Sequence, residues 1–371
     1  MTEPFFINTD EFKERTIVRR VFLDGNTSRE ALLLFTKLVE DFPSIHLRLG
    51  IQQLCGLSIH CNSYHFGFGY VFEVSLTQTK SDNFTFLLVN PYKEAQKAMN
   101  QIFSEGYVYT EKNLVLCKER LLLENEILLR SSKTVMESNQ SCLYAPILVD
   151  EIRMKEMKKE DVDNILAQVR GSKVGDIILL GRKEKNELPS PYSESLPALN
   201  SVSTGSCVIK NMDDESLGLR FSHKGLSKTS DLKLLEGAMS CLEASFDKYI
   251  SRLLSVDYSV SFSQIDSNHF LFTITLKPGK MGSLMKLFTT TDGKLPFAIE
   301  ANYEEAISFY KMSEISLHMD SANFLKKEIL MHDMKLEQDD GTTFSREKLC
   351  EMISSFQFED RFIVGEEMKN D

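Results

Sequence analysis

A helix-and-strand pattern that occurs twice constrains the fold of this chain more than any other feature. In the first half, four apolar residues have the i, i+3, i+4, i+7 spacing of an amphipathic helix: Val162, Ile165, Leu166 and Val169. The second half repeats that spacing at Leu349, Met352, Ile353 and Phe356. Each helix precedes an apolar strand of the form Asp-x-x-x-x-Gly, at 176–181 and at 360–365. The shared order predicts a tandem repeat of one structural unit.

The rest of the chain fits two copies of an α+β unit. Strand patterns occur at 16–23, 57–64, 69–77, 217–224, 257–265 and 269–277, and helical patterns at 27–41, 44–54, 92–132, 230–243, 245–255 and 302–338. A segment rich in Pro, Ser and Asn separates the halves. We therefore predict two homologous domains, 1–185 and 207–371, joined by a linker at 186–206. Each is expected to be a mainly antiparallel sheet with helices packed on one face.

Composition excludes several functional classes. A formal net charge of −11, with no basic stripe, argues against nucleic-acid binding. No apolar run is long enough to span a membrane, and the first residues show no secretory signal. The seven cysteines are scattered, which suits a reducing compartment better than a disulfide framework. A cytoplasmic protein is the expectation.

The helix predicted at 27–41 has a clear start and an apolar surface. Thr27 and Glu30 have the spacing of a capping box, which marks a helix start. The residues that follow are apolar nearly all round, a pattern typical of a helix buried on most sides.

Four residues that could serve as metal ligands lie close together in the sequence: Cys55, His60, Cys61 and His65. Zinc needs four N or S ligands in a tetrahedron, but His60 and Cys61 are adjacent on a predicted strand and point to opposite faces. Ordinary strand residues are the better interpretation. No H-E-x-x-H, phosphate-loop or G-x-S-x-G motif occurs, so no cofactor is expected.

Two carboxylates on the predicted helix within 92–132 attract attention because they lie seven residues apart. Glu119 and Glu126 would share one helical face, and Arg120 and Glu124 have the spacing of a stabilising ion pair. From composition alone, a solvated charged face is the simplest interpretation.

The order of elements, with E-R-x-x-x-x-x-E at Glu119, Arg120 and Glu126, resembles the insulinase/pitrilysin-type zinc peptidases, the group that includes mitochondrial processing peptidase. The resemblance covers residues 16–366 and implies a half-clamshell of two domains. In that family the first helix carries H-x-x-E-H, which binds zinc and supplies a base. Here the corresponding residues have no ligand atoms: Ala31, Leu34 and Phe35. The resemblance therefore implies a degenerate metal site.

The family also includes heterodimers in which the subunit without the motif contributes an Arg and a Tyr that bind the substrate backbone. The stretch YISRLLSVDYSVSF matches that region. It offers Tyr258 at the Tyr position, whereas Arg252 lies one residue later than the family's Arg.

These features predict a non-catalytic subunit that encloses a peptide substrate while an H-x-x-E-H-bearing partner holds zinc. Resemblance to small subunits of subtilosin-type bacteriocin maturation suggests processing of a ribosomal peptide, and relatives linked to modification of elongation factor P are another setting. The alternative is a stand-alone peptide-binding or scaffold protein without proteolysis. Nothing in the sequence favours an unrelated Ser or Cys enzyme.

Overall fold

The structure is a computed structural model that describes residues 5–8, 15–40, 56–67, 69–78, 102–103, 109–172, 175–180, 207–208, 212–253, 257–288, 294–339 and 344–365. The chain divides into two compact units, the first formed by Met1–Glu126 and Pro146–Ala198, the second by Ile127–Ala145 and Leu199–Asp371. The sequence-based division had placed residues 127–145 in the first domain. The helix predicted at 44–54 and the linker at 186–206 lie outside the described residues.

The first unit is built on a five-stranded sheet. Its strands are β1 (Phe5–Asn8), β2 (Arg15–Leu23), β3 (Leu57–Phe66), β4 (Gly69–Gln78) and β5 (Gly175–Leu180), in the spatial order β1-β5-β2-β4-β3. The β1–β5 pair is parallel, and every other pair is antiparallel. Because β3 and β4 are consecutive and only two residues separate them, they form a long hairpin at one edge of the sheet.

The sheet of the second unit repeats this topology. It contains β6 (Cys207–Val208), β7 (Glu215–Ser222), β8 (Tyr258–Gln264), β9 (His269–Leu276) and β10 (Gln357–Gly365), in the order β6-β10-β7-β9-β8. The pair β6–β10 is again the parallel one. The Asp of each Asp-x-x-x-x-Gly segment also lies opposite an arginine, Asp176 beside Arg19 and Asp360 beside Arg220. The predicted internal repeat and the α+β class are confirmed.

Five helices are described in the first half of the chain: α1 (Arg29–Glu40), α2 (Glu111–Leu129), α3 (Ser132–Asn139), α4 (Glu151–Glu156) and α5 (Lys159–Gly171). As the periodicity predicted, α5 buries Val162, Ile165, Leu166 and Val169. These side chains join α1 and the inner face of the sheet in one hydrophobic core. Removal of this apolar surface from water is the main source of the unit's stability.

The second half contributes α6 (Thr229–Leu253), α7 (Met281–Phe288), α8 (Tyr303–Met319), α9 (Ser321–Asp333) and α10 (Arg346–Ser354). The sequence predicted two helices at 230–243 and 245–255, but α6 is continuous. Ser245, the first residue of the second predicted helix, donates a hydrogen bond to the Cys241 carbonyl 2.7 Å away, one turn earlier. A serine can make this bond inside a helix, so its presence does not require a break.

Helices of the second unit cover both faces of its sheet. On one face, Phe246 of α6 packs edge-on against Phe272 of β9, with ring centroids 5.6 Å apart. On the other face lies α3, where the hydroxyl oxygens of Ser132 and Ser216 are 2.7 Å apart. Helices α6 and α7 lie on one face, as predicted, since Leu284 of α7 lies beside Phe246 of α6. The other face is covered by α3, which comes from the segment that the sequence assigns to the first domain.

Gly69 provides a test of the first sheet. A Cβ at this position would overlap the backbone carbonyl of Leu23 on β2, and would lie 3.3 Å from the carbonyl carbon. Because backbone in a paired strand cannot move aside cheaply, we expect Gly69→Ala to lower the free energy of unfolding by about 1–3 kcal/mol. Urea unfolding measures this through the transition midpoint.

Gly171→Ala is the matched control, because a Cβ there meets no atom within 4 Å. This variant should be neutral or slightly stabilising. Equal destabilisation by both substitutions would show that the close approach of β2 and β4 at Gly69 is not the cause.

Candidate functional site

The three α1 residues that the resemblance assigns to a degenerate metal site lie in the core of the first unit. Ala31, Leu34 and Phe35 have 1%, 0% and 0% of their surface exposed. The ring of Phe35 packs on Phe72 of β4 at a centroid distance of 5.0 Å. Apolar packing therefore surrounds all three side chains. These side chains stabilise the fold and offer nothing to a substrate.

The start of α1 differs from the predicted capping box. The helix begins at Arg29, and the hydroxyl of Ser28 accepts a hydrogen bond from the Ala31 amide at 3.2 Å. Thr27 instead donates to Gln168 Oε1 of α5, 3.1 Å away. Glu30 is buried and accepts a hydrogen bond from the Asp150 amide at 3.2 Å. Tertiary contacts thus recruit both residues of the predicted box.

Glu119 and Glu126 are both exposed on α2. This helix turns Leu114, Cys117 and Leu121 toward the core. One turn further on, Asn125 is buried and exchanges two hydrogen bonds with the backbone of Val149, at 3.0 and 3.2 Å. The solvated face expected from composition is therefore what the structure shows. The Arg120–Glu124 ion pair predicted from spacing is present, with 3.2 Å between Nε and Oε1.

The carboxylate of α2 that does reach α1 is Glu124. Its Oε1 lies 2.8 Å from the ammonium of Lys37, which also contacts Glu40 at 2.8 Å. Burial alone would lower the pKa of Lys37, but the hydrogen bonds to Glu124 and Glu40 outweigh it and the pKa is raised. Sequence reasoning missed this cluster. The i, i+3 spacing of Lys37 and Glu40 was visible, but their partner on another helix was not.

The structure does not bring the candidate metal ligands together among the residues it describes. Within the described part of the chain, no three His, Cys, Asp or Glu side chains are grouped so that they could hold a metal ion. On β3, His60 is exposed and Cys61 is buried, as the strand alternation predicted. Burial raises the pKa of the Cys61 thiol, which keeps it protonated rather than a thiolate ligand. Cys55 lies outside the described residues.

Tyr258 stands at the start of β8. Its ring packs edge-on against Phe246 of α6 at 5.5 Å, and its hydroxyl donates a hydrogen bond to Asp247. Burial, followed by this bond to Asp247, raises the pKa of Tyr258. The phenol therefore remains a neutral hydrogen-bond donor. A substrate carbonyl would have to compete with Asp247 for it.

Arg252 is exposed near the end of α6 and belongs to a different cluster. Lys248, one turn earlier, forms an ion pair with Glu300 at 2.7 Å. The hydrogen bond from Lys248 lowers the pKa of Glu300 most, and the charge of Arg252 adds to this effect. Thus Tyr258 faces Asp247, whereas Arg252 acts on Glu300. Their joint role in gripping a substrate stays a prediction.

Solved structures share this fold over nearly the whole chain. A conserved protein from Enterococcus faecalis V583 is 15% identical, with 99% of this chain and 96% of that one covered and a TM-score of 0.66. A Helicobacter pylori protease is 10% identical, with 98% of each chain covered and a TM-score of 0.60. A peptidase M16 inactive domain from Pseudomonas fluorescens is 11% identical, with coverages of 100% and 98% and a TM-score of 0.57.

The fold is that of the insulinase-type M16 peptidases. At 10–15% identity these similarities establish the fold alone. No family model matches the sequence, and no curated protein does. Among the described residues, none of the helices is long and apolar enough to cross a bilayer.

The degenerate site yields a stability test. Leu34→Glu places a carboxylate at a fully buried position without a partner, so we expect a loss of more than about 4 kcal/mol in the free energy of unfolding, or failure to fold. The control is the same change at an exposed position, Leu123→Glu on α2, where 64% of the side chain's surface is accessible. The free energy of unfolding of this control should stay within about 0.5 kcal/mol of that of the original protein.

Urea unfolding and soluble yield measure both variants. A well-folded Leu34→Glu protein, with a midpoint equal to that of Leu123→Glu, would show that α1 can expose a carboxylate. That result would contradict the burial described for α1.

Proposed function

We propose that this chain is a non-catalytic M16-like subunit that binds a peptide while a partner carries the zinc. The burial of Ala31, Leu34 and Phe35 carries the proposal, because the positions for two ligands and a base hold core side chains. Similarity in fold to the M16 inactive domain from Pseudomonas fluorescens supports it. The chain itself would then have no peptidase activity.

The partner in this proposal is an M16-like peptidase subunit with H-x-x-E-H. The two subunits would form a cytoplasmic heterodimer. Its substrate is a peptide, with maturation of a ribosomal peptide such as a bacteriocin as the setting. Tyr258 and Arg252 would contact the substrate backbone. An acidic chain of net charge −11 favours neutral or basic peptides over acidic ones.

Light scattering tests the partnership directly. The chain is measured alone and after mixing with an H-x-x-E-H protein encoded in the same genome, and peptidase activity is followed in parallel. We expect a one-to-one complex whose activity exceeds that of the partner alone and is lost with a chelator. Chelator-sensitive cleavage by the pure chain would contradict the proposal, and a chain that binds peptide but no such subunit would instead be a scaffold.

The substrate contacts are tested in that complex by Tyr258→Phe and Arg252→Ala. Loss of a hydrogen bond made to the reacting substrate should lower kcat/KM by roughly tenfold for each variant. The controls are Tyr249→Phe and Lys248→Ala on α6. Tyr249 stacks on Phe297 at 5.2 Å, and Lys248 pairs with Glu300.

The controls should keep the original kcat/KM. If a variant and its control lost kcat/KM equally, the effect would be due to a general disturbance of α6 and its neighbours. Unchanged activity of Tyr258→Phe would remove Tyr258 from the substrate site.

A further inference from the structure

The second unit contains a cavity of about 230 Å³ between α6, α8 and α9. This space is far larger than a single water molecule needs. Part of its wall is apolar, made by Leu317, Phe324 and Met331, and the rest is polar or charged. Small-molecule and side-chain sites typically combine an apolar body with a few converging polar groups in this way.

The positive charges of the cavity are already engaged. The ammonium of Lys327 lies 3.1 Å from Glu236 and 3.3 Å from Glu314, and only 13% of its side-chain surface is exposed. Lys233 lies over the ring of Tyr310, with its Nζ 5.4 Å from the ring centroid. Both ammonium groups of the cavity therefore already have partners within the protein.

Negative charge is in excess around the same space. Four carboxylates, those of Glu236, Glu314, Glu328 and Asp339, stand against the two ammonium groups. Asp339 accepts hydrogen bonds from Thr229 Oγ1 at 2.9 Å and from the Ser230 amide at 3.1 Å, which fix it at the start of α6. Its position is thus explained by capping, as that of Glu314 is by Lys327.

Glu328 is the exception. Its half-buried carboxylate lines the cavity and makes no hydrogen bond or ion pair with any residue that the structure describes. Burial raises the pKa of Glu328 even though Lys327 and Lys233 act in the opposite direction. A carboxylate that loses water without gaining a partner is unfavourable, and an incoming cation would relieve that cost.

We propose that this cavity binds the side chain of a Lys or Arg residue of a peptide. The cationic group would pair with Glu328, and the alkyl stem would lie along Phe324 and Met331. Long basic side chains suit such a site, because they combine an apolar stem with a charged end. The proposal needs no catalytic partner, since the cavity lies within α6, α8, α9 and residues 338–339 of one unit.

The test uses the full chain with its methionine methyl groups labelled with ¹³C, and N-acetyl-arginine methylamide as the probe. Met331 lines the cavity, so its methyl resonance, assigned through Met331→Leu, should shift and saturate as probe is added. Met312 and Met319 of α8 are 71% and 83% exposed and do not line the cavity. Their resonances should stay unchanged.

A second probe and two variants separate charge recognition from general binding. N-acetyl-citrulline methylamide has nearly the same shape without the charge, and should bind at least roughly tenfold more weakly. Glu328→Gln should lower the affinity for the arginine probe by a similar factor. Glu304→Gln, an equal charge change at an exposed position on α8, should leave its affinity unchanged.

Any of three results would overturn the inference: no saturable shift of the Met331 methyl resonance, equal affinity for both probes, or an equal loss of affinity for the arginine probe in the two glutamate variants. Because peptidase activity is not measured, these outcomes are independent of whether a zinc-bearing partner exists. Failure of the heterodimer experiment would leave the cavity result intact.

Discussion

Burial of α1 against its sheet is the constraint on which the first unit depends. A helix that is apolar nearly all round must be covered on most sides, and here β3, β4 and α5 cover it. The positions of Ala31, Leu34 and Phe35 are too buried for polar side chains. A polar group placed there would lose its hydration without gaining a hydrogen-bond partner. The packing that stabilises the unit therefore leaves these three positions to apolar side chains.

Charged groups hold helices together where apolar packing ends. In the first unit, Lys37 joins α1 to α2 through Glu124. In the second, Lys327 of α9 contacts Glu236 of α6 and Glu314 of α8. Each lysine is shared by two carboxylates and largely withdrawn from solvent, which makes these contacts more specific than exposed surface pairs. Glu328 lies beside the second cluster and makes no hydrogen bond or ion pair with the residues that the structure describes, which is the ground for the proposed site.

The two units have kept one sheet topology while their helices diverged. Identical strand order, including the single parallel pair, follows from one repeated chain path. The first unit has α1 where the second has the much longer α6, and only the second receives a helix from the other half of the sequence. A fold shared with the M16 peptidases does not by itself specify a function, which has to be argued from the residues of a site.

Local pattern alone determined the repeat, most strand positions, the buried face of α5 and the lack of ligand atoms at Ala31, Leu34 and Phe35. These properties depend on residues close in sequence, whose spacing matches the period of a helix or a strand. Tertiary structure decided the rest. It placed α3 on the second sheet, kept α6 continuous through Ser245, and turned Glu126 outward while Glu124 reached Lys37.

The difference between what the sequence determined and what tertiary structure decided has a physical reason. Periodicity shows which residues share a face, whereas the partner of that face depends on packing between segments far apart in the chain. The cavity beside Glu328 is the clearest example. It is formed by residues between 229 and 339, and no local pattern in that stretch indicates that they enclose one space.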